Sequence, residues 1–315
     1  MNKFTGILTV FMCTAYRSRR CYYGGRVLRD KWFARPLYRP GRGDADFRAP
    51  PNTIDFFPNI KGNLTSVTWA HAVNDKEYLD KVLKGDIMMI EADVVMGTLI
   101  DDPTQTLQPV MGHPPSITSD ISLQQFLHTI NEANLVPNAT MKGVKLDFKS
   151  IGVFEESLGS LDELYEKVQY PLWINADILP GPILSTGLPV DAARFLEASK
   201  MYPAAMLSIG WTTRYGGLLR NGSYTDTQIA RMLDTVRESG VQNVVTFPVR
   251  AGLAANSLTQ MTELLRSTGL QSTLTVWSSE GDYVDIAKLR ALILDAGLDR
   301  VYLDVPEEVS SQLHL

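Results

Sequence analysis

The sequence contains little cysteine and no excess of positive charge, and these absences exclude several classes of protein. Only Cys13 and Cys21 carry thiols among its 315 residues, too few for a disulfide framework or a cysteine-rich zinc site. The net charge of −5 argues against a nucleic-acid-binding protein, because such proteins neutralise phosphates with a basic surface. A small phosphorylated substrate is compatible with this charge, since one local cluster of cations can hold a phosphate.

The sequence also lacks a long apolar run. A membrane-spanning helix needs roughly 20 such residues, so no transmembrane span is predicted. The nearest candidate runs from Phe4 to Ala15, between Lys3 and the arginines at positions 17, 19 and 20. It fits either a short signal peptide, with Cys13 and Ala15 as the small residues before cleavage, or a disordered basic leader. The compartment therefore stays open between secreted or extracellular and cytoplasmic.

A change of composition divides the chain near residue 60. Residues 1–60 are rich in Arg, Gly, Pro and Tyr without an apolar period, which predicts a flexible leader or linker. The chain as a whole has the composition of a globular protein, with 44% hydrophobic residues. Residues 61–315 are therefore predicted to form the folded domain.

Short β-rich runs alternate with helical patterns from about Ser66 onwards. Nine runs are strand-like: Val67–Ala72, Ile87–Val94, Pro109–Gly112, Gly143–Phe148, Pro171–Ala176, Ala205–Gly210, Asn243–Val249, Thr273–Trp277 and Val301–Asp304. Seven helical patterns separate most of them: Lys76–Lys84, Leu123–Ala133 after Ser122, Leu161–Val168 after Ser160, Asp191–Met201, Asp226–Glu238, Ser257–Ser267 and Val284–Ala296. This alternation predicts an α/β fold with a parallel sheet wrapped by helices.

The number of units favours a (β/α)8 TIM barrel, which closes with eight strands. One of the nine strand-like runs is then surplus, and we assign Pro109–Gly112 to an extended loop. The alternative is an open doubly wound sheet, but no G-x-G-x-x-G motif follows the first strand, as a dinucleotide-binding sheet of that kind would have.

Polar residues lie at or just after the ends of five predicted strands. In chain order they are His71 and Asn74, then Glu91 and Asp93, then His113, then Asp147 and Lys149, then Asn175 and Asp177. Because barrel active sites lie at the carboxyl ends of the strands, we expect these side chains to converge on one mouth.

Three carboxylates of this set are predicted metal ligands. Alternate residues of a strand share a face, so Glu91 and Asp93 point the same way, and Asp147 joins them at the mouth. Like charges this close are costly unless a cation neutralises them. Oxygen ligands favour Mg²⁺ or Ca²⁺, whereas zinc prefers nitrogen or sulfur.

The remaining polar residues suit acid–base chemistry on a phosphodiester. His71 and His113 titrate near neutrality and can activate a nucleophile and protonate a leaving oxygen, while Lys149 supplies a fixed positive charge. The candidates for substrate binding are Asn74, Asn175, Asp177 and Arg250. The alternative for the histidines is a hydrogen-bonded core residue, and for Asp147 with Lys149, as for Arg250, it is a local salt bridge. For Asn74, Asn175 and Asp177 the alternative is strand-end capping. A Schiff base on Lys149 is disfavoured, since carboxylates and a metal would keep this lysine charged.

The order of these motifs resembles the menorin family. The segments HAVN, IEADV, GHPP and KLDFK follow one another, and the resemblance runs roughly from Ser66 to Pro306. More distantly, the set is similar to the glycerophosphodiester phosphodiesterase and sphingomyelinase D group of TIM barrels, as are the later segments LTVWSSEGD and LDAGLDRVYLDVP. This resemblance implies a divalent cation on Glu91, Asp93 and Asp147. It likewise implies that His71 and His113 are the acid and base, with Lys149 as the lysine that follows the third ligand.

Two departures accompany the resemblance. Ala72-Val73 stands where the phosphodiesterases typically have Arg-Gly, and Pro114 stands where they have aspartate. The implied function is a metal-dependent phosphodiesterase-like protein acting on a glycerophosphodiester or lysophospholipid-type molecule. It would be a phosphoric diester hydrolase or a phospholipase-D-like lyase, the latter releasing a cyclic phosphate. The alternative is a non-catalytic extracellular binding or adhesion protein, since menorin-type proteins are linked to adhesion complexes that shape neuronal branching.

Overall fold

The computed structural model describes residues 52–315 except 138, 184, 186 and 270. The signal-like segment and both cysteines lie outside the described residues. The described strands are β1 Trp69–Ala70, β2 Met89–Leu99, β3 Gln108–Met111, β4 Thr118–Ser119, β5 Gly143–Phe148, β6 Leu172–Pro180, β7 Met206–Thr212, β8 Val245–Arg250, β9 Thr273–Trp277 and β10 Val301–Asp304. The described helices are α1 Thr53–Phe56, α2 Lys76–Leu83, α3 Leu123–Asn134, α4 Ile151–Tyr165, α5 Ala192–Ser199, α6 Asp226–Ser239, α7 Ala251–Ala254, α8 Leu258–Thr268, α9 Ile286–Ala296 and α10 Glu307–Leu313. Short 3₁₀ turns cover Pro58–Ile60 and Leu64–Ser66.

The eight parallel strands form a nearly closed barrel. Their order is β1-β2-β5-β6-β7-β8-β9-β10, and each neighbouring pair in this order is parallel. At least one helix follows each of these eight strands along the chain. The predicted TIM barrel is therefore confirmed. Among the described residues no pairing joins β10 to β1, and we call this gap the seam. At one end of the seam the Leu64 amide donates to the Leu298 carbonyl oxygen at 2.8 Å.

The surplus ninth run lies outside the barrel, as expected, but it is a strand and not an extended loop. β2 continues past the barrel mouth, and its second half pairs antiparallel with β3, from Val94 opposite Met111 to Gly97 opposite Gln108. β4 adds to the end of β2 in parallel. We call residues 94–119 the hairpin arm. The loop assignment was wrong because β2 runs beyond the barrel and offers β3 an edge there.

Seven of the ten described helices begin behind a side chain that caps them. Ser122 caps α3 in a capping box with Gln125, as its position before an apolar run indicates. The predicted cap at Ser160 is wrong, because α4 begins at Ile151 behind Ser150, whose hydroxyl accepts from the Val153 amide. Gly152 and Gly159, which lower helix propensity, lie in the part of α4 before Ser160.

An aromatic cluster fills the amino end of the barrel. Trp173 is fully buried, with ring centroids 5.2 Å from Trp69 and 4.7 Å from Tyr302. Phe57 and Ile60, in the predicted leader, are buried against the same cluster. The part of the leader that the structure describes, from residue 52, therefore packs on the barrel. Within the described residues, no helix is both long and apolar enough to cross a membrane.

We expect Trp173→Ala to lower the free energy of unfolding by about 3–5 kcal/mol, because it empties a large buried volume that Trp69 and Tyr302 line. Urea denaturation measures this change. Leu294→Ala, at a side chain 46% exposed on α9, is the control and should change stability by less than about 0.5 kcal/mol. Equal effects of the two substitutions would contradict the packing described here.

Candidate metal and catalytic site

Three carboxylates meet where β2 passes the barrel mouth and where β5 ends. One oxygen each from Glu91, Asp93 and Asp147 lies within 4.8 Å of the others. The register of the parallel strands places Asp93 opposite Asp147, and Glu91 shares the face of Asp93. Glu91 and Asp93 are buried, and Asp147 is largely buried. This all-oxygen set fits a hard cation such as Mg²⁺ or Ca²⁺.

Lys149 neutralises part of this charge. Its Nζ lies 2.6 Å from Asp93 Oδ1 and also pairs with Asp147. Burial alone would lower the pKa of Lys149, but the charges of Asp147 and Asp93 raise it above its usual value. Burial alone would raise the pKa of Asp147, but Lys149 and Lys145 hold it below its usual range. The ammonium of Lys149 is therefore a fixed charge, unsuited to forming a Schiff base.

His71 lies beside the same cluster, directly after β1. Its Nδ1 is 2.9 Å from Asp304 Oδ2 across the seam and 3.5 Å from Glu91 Oε2. Burial opposes the charged imidazolium, but the charge of Glu91 and the hydrogen bond and charge of Asp304 raise the pKa of His71 to about 9. The Trp277 ring stacks on the imidazole, with centroids 6.5 Å apart and planes 13° apart. The structure therefore fixes the histidine ring from two sides.

Neighbouring amides hold the carboxylates in place. The Asn74 side chain donates to Asp93 Oδ2 at 2.7 Å, and its oxygen accepts from the Asp93 amide at 2.8 Å. Asn175 donates to Asp147 Oδ1 at 2.6 Å. Asn175 Oδ1 is buried without a hydrogen-bond partner among the described residues, and it is a further oxygen of the kind that a hard cation binds. Both asparagines, predicted to bind substrate, thus bind the predicted metal ligands, and their contact with substrate stays a prediction.

Glu91 has a separate backbone partner. The amide of Ala72 donates to Glu91 Oε2 at 2.8 Å, and Ala72 adopts a left-handed conformation with φ of 55°. Burial raises the pKa of Glu91, the imidazolium of His71 opposes this shift, and the charge of Asp93 adds to it. A bound cation would favour the ionised form of Glu91.

Asp177 lies on β6, outside the three-carboxylate group. Burial, together with the charge of Asp147, raises the pKa of Asp177 to about 7. The lysines at positions 149 and 145 oppose this shift. Asp177 is therefore poised to gain or lose a proton near neutrality.

We expect Asp177→Asn to stabilise the chain above pH 7 by at least about 1 kcal/mol and to change little below pH 4, in the presence of a chelator. Between its usual pKa of 3.8 and its folded pKa of about 7, the folded state keeps a proton that the unfolded chain has lost. The stability of the unsubstituted chain therefore falls as pH rises through this window, and asparagine removes the fall. Urea denaturation at both ends of the window measures the difference. An equal effect at both ends would contradict it.

Arg250, predicted to bind substrate, is held by an ion pair. Its Nε donates to Asp282 Oδ2 at 2.8 Å and its Nη2 to Asp282 Oδ1 at 3.0 Å. Its guanidinium lies 4.8 Å from the centroid of the Trp277 ring. Arg250 therefore supports the indole that stacks on His71. Its contact with a phosphate stays a prediction.

His113 lies on the hairpin arm and is not one of the grouped metal-ligand candidates. The Gly112 amide donates to the Asp93 carbonyl oxygen at 2.9 Å, which brings the chain close to β2. The His113 side chain is nevertheless exposed, and its Nδ1 lies 2.8 Å from the Pro114 carbonyl oxygen. Among the described residues it makes no hydrogen bond to the carboxylate group. Its role as acid or base stays a prediction.

Three residues of the site were missed by the sequence reasoning. Asp304 is the last residue of β10, and Asp147 is the last but one of β5. This position near the carboxyl end of a strand is the signal that could have found Asp304. Lys145, 4% exposed, shares the face of Asp147 and lies 6.0 Å from the centroid of the Trp69 ring. Its signal is the K-x-D-x-K alternation in KLDFK. Asp282 lies in a loop and has no comparable signal.

The fold and site define a (β/α)8 barrel with an acidic, lysine-compensated cluster and an oriented histidine at its mouth. A family model described as the Menorin N-terminal domain matches residues 63–310. The chain belongs to the menorin family. It is 36% identical over 242 residues to human Protein FAM151B, an alignment that covers 76% of this chain and 83% of that protein.

Two solved structures are similar in overall arrangement. The Ignisphaera aggregans GH53 catalytic domain has a TM-score of 0.42 and 12% identity, covering 82% of this chain and 86% of that one. A 2,3-dimethylmalate lyase of the PEP mutase/isocitrate lyase superfamily has a TM-score of 0.41 and 10% identity. The match covers 81% of this chain and 80% of that one. Likenesses at this level carry no information on the chemistry of the site.

Proposed function

We propose that the chain is a metal-dependent phosphodiesterase-like enzyme, acting on a glycerophosphodiester or lysophospholipid-type substrate by histidine acid–base catalysis. The observation that carries the proposal is the convergence of Glu91, Asp93 and Asp147 with Lys149 and His71 at one barrel mouth. A purely structural metal site needs neither the lysine nor the oriented histidine, so their presence favours chemistry.

The three carboxylates would hold a Mg²⁺ or Ca²⁺ ion, with Asn74 and Asn175 fixing the orientation of Asp93 and Asp147. When bound, the cation supplies charge stabilisation for a phosphoryl group. Lys149 adds a second positive charge on the same side of the mouth.

His71 is suited to move a proton at a defined atom. Because Asp304 accepts a hydrogen bond from Nδ1, Nε2 is the nitrogen available to the substrate. His71 and His113 divide the acid and base roles, one activating the nucleophile and the other protonating the leaving oxygen. With water as the nucleophile the reaction is hydrolysis, and with a substrate hydroxyl the product is a cyclic phosphate.

The proposal is tested with the purified full-length chain and two probes, glycerophosphocholine and lysophosphatidylcholine. Each is incubated with Mg²⁺, with Ca²⁺ or with EDTA, and phosphorus NMR follows the products. We expect cation-dependent turnover of at least one probe, and the spectrum separates a phosphomonoester from a cyclic phosphate. Absence of turnover of both probes with both cations would contradict the proposal.

The second candidate is a non-catalytic extracellular binding or adhesion protein on the same barrel. The observation that favours it is the exposed His113, which makes no hydrogen bond to the carboxylates in the described part of the chain. This candidate predicts a thermal shift with Mg²⁺ or Ca²⁺ but no turnover in the experiment above.

A further inference from the structure

Among the described residues, five of the six large apolar side chains that are more than 60% exposed lie around the barrel mouth. Leu218 and Leu188 are 101% and 92% exposed, and Ile117, Leu107 and Ile100 are each between 63% and 70% exposed. Leu188 lies in the loop after β6 and Leu218 in the loop after β7, while the other three lie on the hairpin arm and its tip. All five therefore surround the end of the barrel that holds the carboxylates.

The two leucines lie in neighbouring loops, the loop after β6 and the loop after β7, which we together call the platform. Leu218 lies in a turn whose ends are joined by two hydrogen bonds of 3.0 Å between Gly216 and Leu219. The loops after β6 and β7 also touch, since a Cβ added at Gly222 would lie 2.5 Å from Ile183 Cδ1. The turn thus presents Leu218 to solvent, and Leu188 is exposed in the neighbouring loop that contacts it through Ile183.

Two arginine side chains lie beside Leu218 on this platform. Arg214 and Arg220 are exposed, on either side of Leu218 along the chain. Arg220 Nε donates to the Gly217 carbonyl oxygen at 3.1 Å. Neither arginine pairs with a carboxylate among the described residues, whereas the arginines at positions 194, 237, 250 and 266 each do. The platform therefore combines exposed apolar groups with guanidinium groups that no carboxylate of the described residues neutralises.

This combination matches a phospholipid surface in chemistry and shape. Acyl chains accept isolated apolar side chains, and headgroup phosphates accept guanidinium hydrogen bonds. Apolar side chains that lie apart on several loops can each insert into a fluid lipid surface. A protein partner would instead require a contiguous, closely packed apolar patch on this chain. Charge complementarity with phosphate and the spread of the tips around the mouth both favour lipid.

We propose that the mouth of the barrel docks on a phospholipid membrane. Leu188 and Leu218 insert at the level of the acyl chains, Arg214 and Arg220 contact headgroup phosphates, and the hairpin arm gives a second point of contact. The inference rests on the proposed function in one respect, since docking would bring a lipid-borne substrate to the site. Membrane binding itself requires no turnover.

Vesicle sedimentation with the full-length chain tests the docking. The probes are phosphatidylcholine vesicles with and without phosphatidylserine, and the variant is Leu188→Ser combined with Leu218→Ser. We expect the double variant to bind at least about tenfold more weakly than the unsubstituted chain. Arg214→Gln with Arg220→Gln should reduce binding mainly to the phosphatidylserine-containing vesicles.

Leu135→Ser is the matched control, because Leu135 is 70% exposed in the segment between α3 and β5, at the opposite end of the barrel. It should bind vesicles as the unsubstituted chain does. Docking is overturned if the unsubstituted chain binds neither vesicle, or if the control and the double variant bind equally. It is also overturned if the leucines instead mediate self-association in solution without vesicles.

A water-soluble substrate separates this inference from the proposed function. The double variant should hydrolyse glycerophosphocholine at the unsubstituted rate and lose activity on vesicle-embedded lysophosphatidylcholine. Soluble turnover without vesicle binding would overturn docking alone. Vesicle binding without turnover of either substrate would overturn the proposed function alone.

Discussion

His71→Ala is expected to lower kcat/KM for the phosphodiester substrate by about 10²–10⁴-fold, the usual contribution of a positioned acid or base. The physical reason is that Asp304 and Trp277 hold this imidazole beside the carboxylates, with Nε2 available to the substrate. Steady-state turnover of glycerophosphocholine at saturating cation measures the loss. His128→Ala, at an exposed histidine on α3, is the matched control and should retain full activity.

Asp304→Asn extends this prediction to the pH profile. Removing the Asp304 charge lowers the pKa of His71, because the carboxylate stabilises the imidazolium. The limb of the profile that reports His71 should therefore move to lower pH, with a smaller loss of activity than His71→Ala gives. An unchanged profile, or equal losses for His71→Ala and His128→Ala, would contradict the assignment.

Chelation of divalent cations is expected to abolish turnover, and Mg²⁺ or Ca²⁺ to raise the melting temperature of the chain. A cation at a hundredfold excess over its Kd stabilises the folded state by about 2.7 kcal/mol. Glu91→Gln and Asp147→Asn should remove most of this shift, since each deletes one charged ligand of the three. Asp234→Asn, at an exposed carboxylate on α6, is the control and should keep the shift.

Lys149→Met sharpens the test, because it separates cation binding from catalysis. The ammonium pairs with Asp93 and Asp147, so its removal leaves the carboxylate group more negative and should tighten cation binding. Turnover should nevertheless fall, because the substrate loses a fixed positive charge. A cation-independent melting temperature in both the unsubstituted chain and Lys149→Met would exclude the metal site.

Local pattern was sufficient for several of the barrel strands and for the centre of the site. β5, β9 and β10 have the predicted bounds, because buried strands of a parallel sheet read as short apolar runs with sharp ends. Alternation along β2 and β5 placed Glu91, Asp93 and Asp147 on one face, and the barrel rule brought them together. These inferences needed only the period of a strand and the direction of the chain.

Contacts between distant segments could not be predicted in this way. His71 and Asp304 are 233 positions apart, and their contact depends on how the barrel closes. The Arg250–Asp282 pair joins the end of β8 to a loop, and no periodic pattern in the sequence predicts it. The exposed position of His113 likewise depends on the hairpin arm, whose pairing the sequence did not reveal.

The seam has a consequence for motion. Within the part of the chain that the structure describes, β1 consists of Trp69 and Ala70 and pairs with β2 alone, and His71, the predicted acid or base, follows it directly. The backbone amides of residues 69–72 should therefore exchange with solvent through small local openings, faster than those of β5, which is paired on both sides. A ligand that bridges His71 and the carboxylates would close these openings, so hydrogen exchange at β1 would report occupancy of the mouth without any turnover.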